Sequence, residues 1–192
     1  MEENVLDPWI MFFKTILDME CPENLNSATE NTVEIVNRDK SIFWKIKGIT
    51  AKTTYRMFIK YADPGKVEDK LHIKTFSNNF SLKYSIPLLE SHLQILFQRK
   101  THHVGSKALN FAIKFISAST RMQNTMEKLK PYVENILYDT VIPIMYITQR
   151  DVEQMEDSPI EYIRNLYDFT ETLFQPKNQV QDLLCYFMGY SS

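Results

Sequence analysis

The stretch 130–174, KPYVENILYDTVIPIMYITQRDVEQMEDSPIEYIRNLYDFTETLF, decides how the rest of the chain is read. Starting from Leu129 just before it, Val133, Ile136, Leu137, Thr140, Val141, Ile144 and Met145 recur at the spacing that lays one face of a helix on a core. Pro143 lies inside that run and has no backbone N–H to donate, so a kink is predicted there. Further on, Ser158-Pro159-Ile160-Glu161 puts a hydroxyl at a helix N-cap, proline at the first helical position and a carboxylate at the third, which predicts a sharp second helix start. Between the two helices, residues 148–158 read as an acidic loop crowded with Asp151, Glu153, Glu156 and Asp157.

Those four acids admit two readings. One is a solvated loop whose charge is favoured by the N-terminal dipole of the helix that follows. The other is an acidic contact for a basic protein partner, which would govern association rate and salt dependence more than final affinity.

Working outward, Leu6, Trp9, Ile10, Phe13, Ile16 and Leu17 make a helical stripe over 5–19, with Pro8 tolerated at a first helical position after Asp7. Residues 20–40 turn to Asn, Ser, Thr, Glu and Pro and are predicted to form a long polar loop. A helix over 41–61 follows, with Ile42, Phe43, Ile46, Ile49, Thr53, Met57 and Phe58 inward, the lysines opposite and Trp44 at its margin. It stops at Ala62-Asp63-Pro64-Gly65. Two helices are predicted next, one from Lys66 to Phe80 that weakens at Ser77-Asn78-Asn79, the other around Leu89 and Leu96 with Pro87 in its first turn. A helix through Phe111 and Phe115 leads back to the opening stretch, and after a loop at 175–178 a short one from Val180 ends at Gly189.

The sum is about eight helices joined by short connections, in pairs whose spacing is that of HEAT and armadillo repeats. The predicted class is therefore all-α, a HEAT-like helical-repeat solenoid segment of about four repeats filling 1–192 as one unit, against the alternative of a compact irregular bundle. The composition agrees, with only 4 glycines and 44% hydrophobic residues in 192.

Chemistry is hard to place on this chain. The histidines His72, His92, His102 and His103 have no metal-ligand spacing, and the four glycines are scattered singly with no phosphate loop. Cys21 and Cys185 lack a C-x-x-C partner, so structural thiols in a reducing compartment are expected. No cofactor and no catalytic residue is assigned. A net charge of −2 without a Lys/Arg block argues against nucleic acid, and no run reaches the roughly 18 apolar residues of a membrane span.

Leu129-Lys130-Pro131-Tyr132, Val141-Ile142-Pro143-Ile144-Met145 and Glu156-Asp157-Ser158-Pro159-Ile160-Glu161-Tyr162-Ile163-Arg164 resemble the importin-β (karyopherin) family of nuclear transport receptors, in particular its importin-7/importin-8 branch. Upstream, Trp44-Lys45-Ile46-Lys47 and the turn Tyr61-Ala62-Asp63-Pro64-Gly65 are similar to the same branch. The resemblance implies a HEAT-repeat superhelix that binds partners and carries out no catalysis. It also implies partners: the GTPase Ran, basic cargo proteins and phenylalanine-glycine (FG) nucleoporins, met while shuttling between cytoplasm and nucleus through the pore. Ran's main contacts in the family lie in repeats that this chain lacks, so no residue is assigned to it. The competing expectation is a free-standing helical scaffold, or a truncated product, without transport activity.

Overall fold

The computed structural model describes residues 3–22, 39–63, 67–68, 70–147, 149–167 and 176–189. The described residues form α-helices α1 (Glu3–Asp18), α2 (Ile42–Tyr61), α3 (Leu71–Gln98), α4 (Ser106–Ser119) and α5 (Gln123–Leu129). After a 3-10 turn at Lys130–Tyr132 come α6 (Val133–Ile136), a π-helical turn at Leu137–Val141 and α7 (Ile142–Met145), then α8 (Gln149–Asp157), α9 (Pro159–Tyr167) and α10 (Pro176–Gly189). No described residue is in a strand. The architecture is all-α and HEAT-like, as the helical spacing predicts.

The helix α4 is the centre of the fold. Leu109, Phe111, Ala112, Ile113, Phe115 and Ile116 are all buried, so a broad face of it is apolar and must be covered. Helices α2, α3, α5 and α10 supply that cover. Each large side chain sealed this way contributes about 1.5–3 kcal/mol. Where three of these helices meet, the Phe115 ring lies 4.4 Å from Phe58 of α2 and stacks at 4.1 Å on the imidazole of His92 from α3.

His92 is fully buried. Its Nδ1 lies 2.7 Å from the Leu88 carbonyl, which can only accept, so Nδ1 carries the proton and Nε2 faces the Thr54 hydroxyl at 3.3 Å. Burial pushes the imidazole pKa down to about 4. His92 is therefore a neutral core residue bridging helices.

The chain crosses from Leu71 to Gln98 in one helix, where two were predicted. Of the three residues expected to weaken it, Asn78 and Asn79 are exposed on the helix and Ser77 is a packing group: it is buried with Ser81, Ser85 and Ser91 on α3, and its hydroxyl donates to the Tyr61 carbonyl at 2.6 Å. Pro87 sits mid-helix, and the hydroxyl of Ser91 turns back to the Pro87 carbonyl at 3.3 Å. Small side chains let neighbouring helices approach, and the surrounding packing overrides weak local propensity.

The inward face of α2 also differs from its prediction. Trp44, Lys47, Gly48, Thr50, Ala51, Thr54 and Phe58 are buried, while Ile42, Ile46 and Ile49 point outward. Two stripes of apolar character compete on this helix. The one with the larger indole and the close-packing Gly48 and Ala51 wins, and it carries Lys47 into the interior. The Lys47 ammonium donates to the Met19 carbonyl at 2.6 Å and lies 5.3 Å from the Phe43 ring. Burial pushes its pKa down to about 8.

In α1, Ile10 and Leu17 are buried, and Pro8 lies inside the helix instead of at its start. Asp7 is consequently no cap: it pairs with Lys83 at 2.7 Å and accepts from the Tyr84 hydroxyl, clasping α1 to α3. Most of the predicted 20–40 loop, residues 23–38, lies outside the described residues. The predicted kink at Pro143 appears as the π turn just before it, in which the Ile142 amide bonds the Leu137 carbonyl. The last helix begins at Pro176, earlier than the loop predicted at 175–178, with Val180, Leu183 and Phe187 buried.

The neutral imidazole makes stability pH-dependent. Unfolded chains bind a proton at His92 near the ordinary value of 6.5, while the folded protein resists it until about 4. Its contribution is thus complete above about 6.5 and is lost as pH falls toward 4, by about 3 kcal/mol. In urea titrations at pH 7, 5.5 and 4, the stability gap between wild type and His92→Gln is expected to narrow by that order toward low pH. A constant gap would show that the imidazole is not held neutral.

Candidate functional site

The predicted acidic loop is helical. Residues Gln149–Asp157 form α8, and the connection to α9 is the single residue Ser158. Its amide donates to the Gln154 carbonyl at 3.0 Å, closing α8, and its own carbonyl accepts from the Tyr162 amide at 2.9 Å, opening α9. The predicted helix start at Pro159 is therefore placed correctly, but the residues before it are not a loop. Gln, Glu and Met are good helix formers, and a high density of acids does not by itself exclude a helix.

Glu153, Glu156 and Asp157 are exposed, and the side chain of Asp151 lies outside the described residues. Glu156 and Asp157 occupy the last turn of α8, where the helix dipole disfavours negative charge, and abut the first turn of α9, where it favours it. The acid concentration has no basic residue in that last turn to offset it.

Other polar clusters are structural in geometry. Asp39 accepts from His103 Nε2 at 2.9 Å and, through its other oxygen, from the Ser106 hydroxyl at 2.6 Å and the Ser106 amide at 3.2 Å. The carboxylate stands between the serine and the histidine, so the hydroxyl proton goes to Asp39 and no base activates Ser106 as a nucleophile. Instead Asp39 caps α4 from a distance, since Gly105 at the N-cap position makes no side-chain cap. Burial acts to raise the Asp39 pKa, but the hydrogen bonds from His103 and Ser106 outweigh it and hold the carboxyl below its ordinary value. His103 also sets its ring edge-on to Trp44 at 5.9 Å.

A shallow depression of about 280 Å³ lies between α1 and α3, lined by Leu6, Phe76, Phe80, Leu82 and Tyr84, with Asn79 and Lys83 at its polar side. It contains no converging catalytic groups. Among the described residues no cluster of histidine, cysteine and carboxylate groups could hold a metal ion. No described helix is long and apolar enough to cross a membrane.

The stack of packed helices around α4 has the form of a helical-repeat protein. A family model described as Cse1 matches residues 1–170, and the chain belongs to that family, within the importin-β group. Human Importin-8 is 26% identical over 185 residues, covering 96% of this chain and 17% of its own length. The Importin beta-like SAD2 homolog of Arabidopsis thaliana is 25% identical over 185 residues, with 95% and 17% covered. The Nonsense-mediated mRNA decay protein 5 of Saccharomyces cerevisiae is 23% identical over 175 residues, with 88% and 16% covered. The chain thus spans about a sixth of the length of these relatives. No solved structure matches it.

The Asp39 clasp has a measurable cost of removal. Asp39→Ala is expected to destabilise the protein by about 1–2 kcal/mol at pH 7, as loss of a helix cap does. Because the folded carboxyl titrates below its ordinary value, the clasp is complete above about 3.9 and is lost as pH falls through the lowered value. Equal urea midpoints for the variant and wild type at pH 7 would rule the clasp out.

Proposed function

We propose that this chain is a protein-binding segment of a nuclear transport receptor, and that the acidic end of α8 receives a basic stretch of cargo. The observation that carries the transport reading is the Cse1 family match across residues 1–170. The relatives named importins support the same direction. Glu153, Glu156 and Asp157 stand exposed beside a one-residue helix junction, where long Lys and Arg side chains can reach them without displacing the core. Asp151 belongs to the same acidic run by sequence. Ran in its GTP-bound form and FG nucleoporins complete the proposed partner set, with passage between cytoplasm and nucleus through the pore.

The contact is tested with a Lys/Arg-rich peptide and the full chain by fluorescence anisotropy at low and high salt. The quadruple variant Asp151→Asn, Glu153→Gln, Glu156→Gln, Asp157→Asn is expected to weaken binding about tenfold or more at low salt, and much less at high salt. Binding that is unchanged in the variant and indifferent to salt would sink the assignment. In a parallel pull-down, preference for GTP-loaded over GDP-loaded Ran, or cargo displacement by it, supports transport. Equal or absent binding favours a helical scaffold without transport activity.

A further inference from the structure

The outward face of α2 carries a ridge that the fold leaves uncovered. Ile42, Ile46 and Ile49 recur at the four- and three-residue spacing of one helical stripe, with 75%, 46% and 55% of their surface exposed. Lys45, Lys52 and Arg56 follow one edge of that stripe, where positions seven and eleven residues apart fall on the same side of a helix. Lys45 and Arg56 are exposed, and Lys52 leans over the Phe111 ring at 6.0 Å. The face is thus apolar along its middle and cationic along one border. Exposed apolar patches with a polar rim mark interaction surfaces.

The chain also presents the complement. On the α8–α9 hairpin, Met155, Ile160 and Ile163 are 54%, 75% and 55% exposed. Glu156, Asp157 and Glu161 stand exposed around them. Helices α8 and α9 pack mainly on each other, so this hairpin projects its own apolar patch, with Arg164 the exposed cation among those acids. The two patches match in kind, isoleucine against isoleucine and methionine, and oppose in net charge, three cations on α2 against three acids and one arginine on the hairpin.

We propose that the α2 ridge docks a second copy of this chain through its α8–α9 hairpin, with Lys45, Lys52 and Arg56 facing Glu156, Asp157 and Glu161. The contact joins two different patches, so it is heterologous: each copy has one ridge and one hairpin, and association runs head to tail. Charge opposition sets the register and excludes ridge-on-ridge or hairpin-on-hairpin pairing, where like charges would face each other. The proposal does not rest on cargo binding. It does imply competition, since the acids that would receive a basic cargo are those that dock on α2.

The test is sedimentation velocity on the full chain over the micromolar range. Wild type is expected to gain mass with concentration and to lose about tenfold in association constant between low and high salt. The ridge variant Lys45→Glu, Lys52→Glu, Arg56→Glu leaves both patches acidic. The hairpin variant Glu156→Lys, Asp157→Lys, Glu161→Lys leaves both basic. Each alone is expected to stay monomeric, and an equimolar mixture to associate with concentration as wild type does, in alternating order, which also shows that both variants are folded. Monomeric wild type at every concentration, association of either variant alone as strong as wild type, or a mixture that stays monomeric would each overturn the proposal. The anisotropy experiment on basic peptide is read independently, with the ridge variant, which keeps every α8 acid.

Discussion

The Phe115 ring, held between Phe58 and His92, is the contact on which the arrangement of α2, α3 and α4 depends. A stacked imidazole does here what a third aromatic ring could not. It fills the space with a flat face and also donates to the Leu88 carbonyl of its own helix while presenting a ring nitrogen to Thr54 across the interface. That geometry favours a neutral ring, because the cost of burying a second proton outweighs the attraction of the Asp18 carboxylate. Packing at this junction and protonation state are therefore the same constraint.

Around this junction the interior is built by close approach more than by bulk. Gly105 shows it: a Cβ there would come within 2.9 Å of the Trp44 ring, so the residue before α4 is glycine for contact reasons, with no unusual backbone angle. Asp39 holds the same segment in place, through the His103 imidazole and the Ser106 amide. The serine stripe of α3 serves the same end on the other side, trading side-chain volume for helix proximity. Such surfaces transmit displacement well, since there is little slack between one helix and the next.

What the sequence revealed and what it concealed follow from the same physics. The helix start at Pro159 and the interruption before Pro143 were legible, because proline constrains its own backbone whatever surrounds it. The face of α2 was not, since Ile42, Ile46 and Ile49 are as apolar as the stripe that wins, and only the neighbours' shapes decide between them. The unbroken α3 was obscured for the complementary reason: Ser77-Asn78-Asn79 looks like a break until the Tyr61 carbonyl that Ser77 bonds is known. In the acidic segment, composition suggested solvent exposure correctly but not conformation. The resemblance to the family drew on residues 129–164 together with 44–47 and 61–65, and the family match extends over 1–170.

A net charge of −2 describes this surface poorly. The lysines and arginine of α2 and the acids of α8–α9 nearly cancel in the sum, yet they occupy different elements that make their main contacts with different neighbours. At physiological salt each patch is screened from the other beyond about 8 Å, so an approaching partner meets a local field of one sign, not the average. Binding properties of a helical-repeat chain are thus set repeat by repeat. An outward-facing helix can acquire a cationic ridge, and a neighbouring hairpin an anionic one, without altering the buried faces that hold the stack together. That separation of inner from outer face is what lets one packing scheme carry surfaces of opposite character, and it is also why the buried stripe of α2 says so little about what its exposed stripe does.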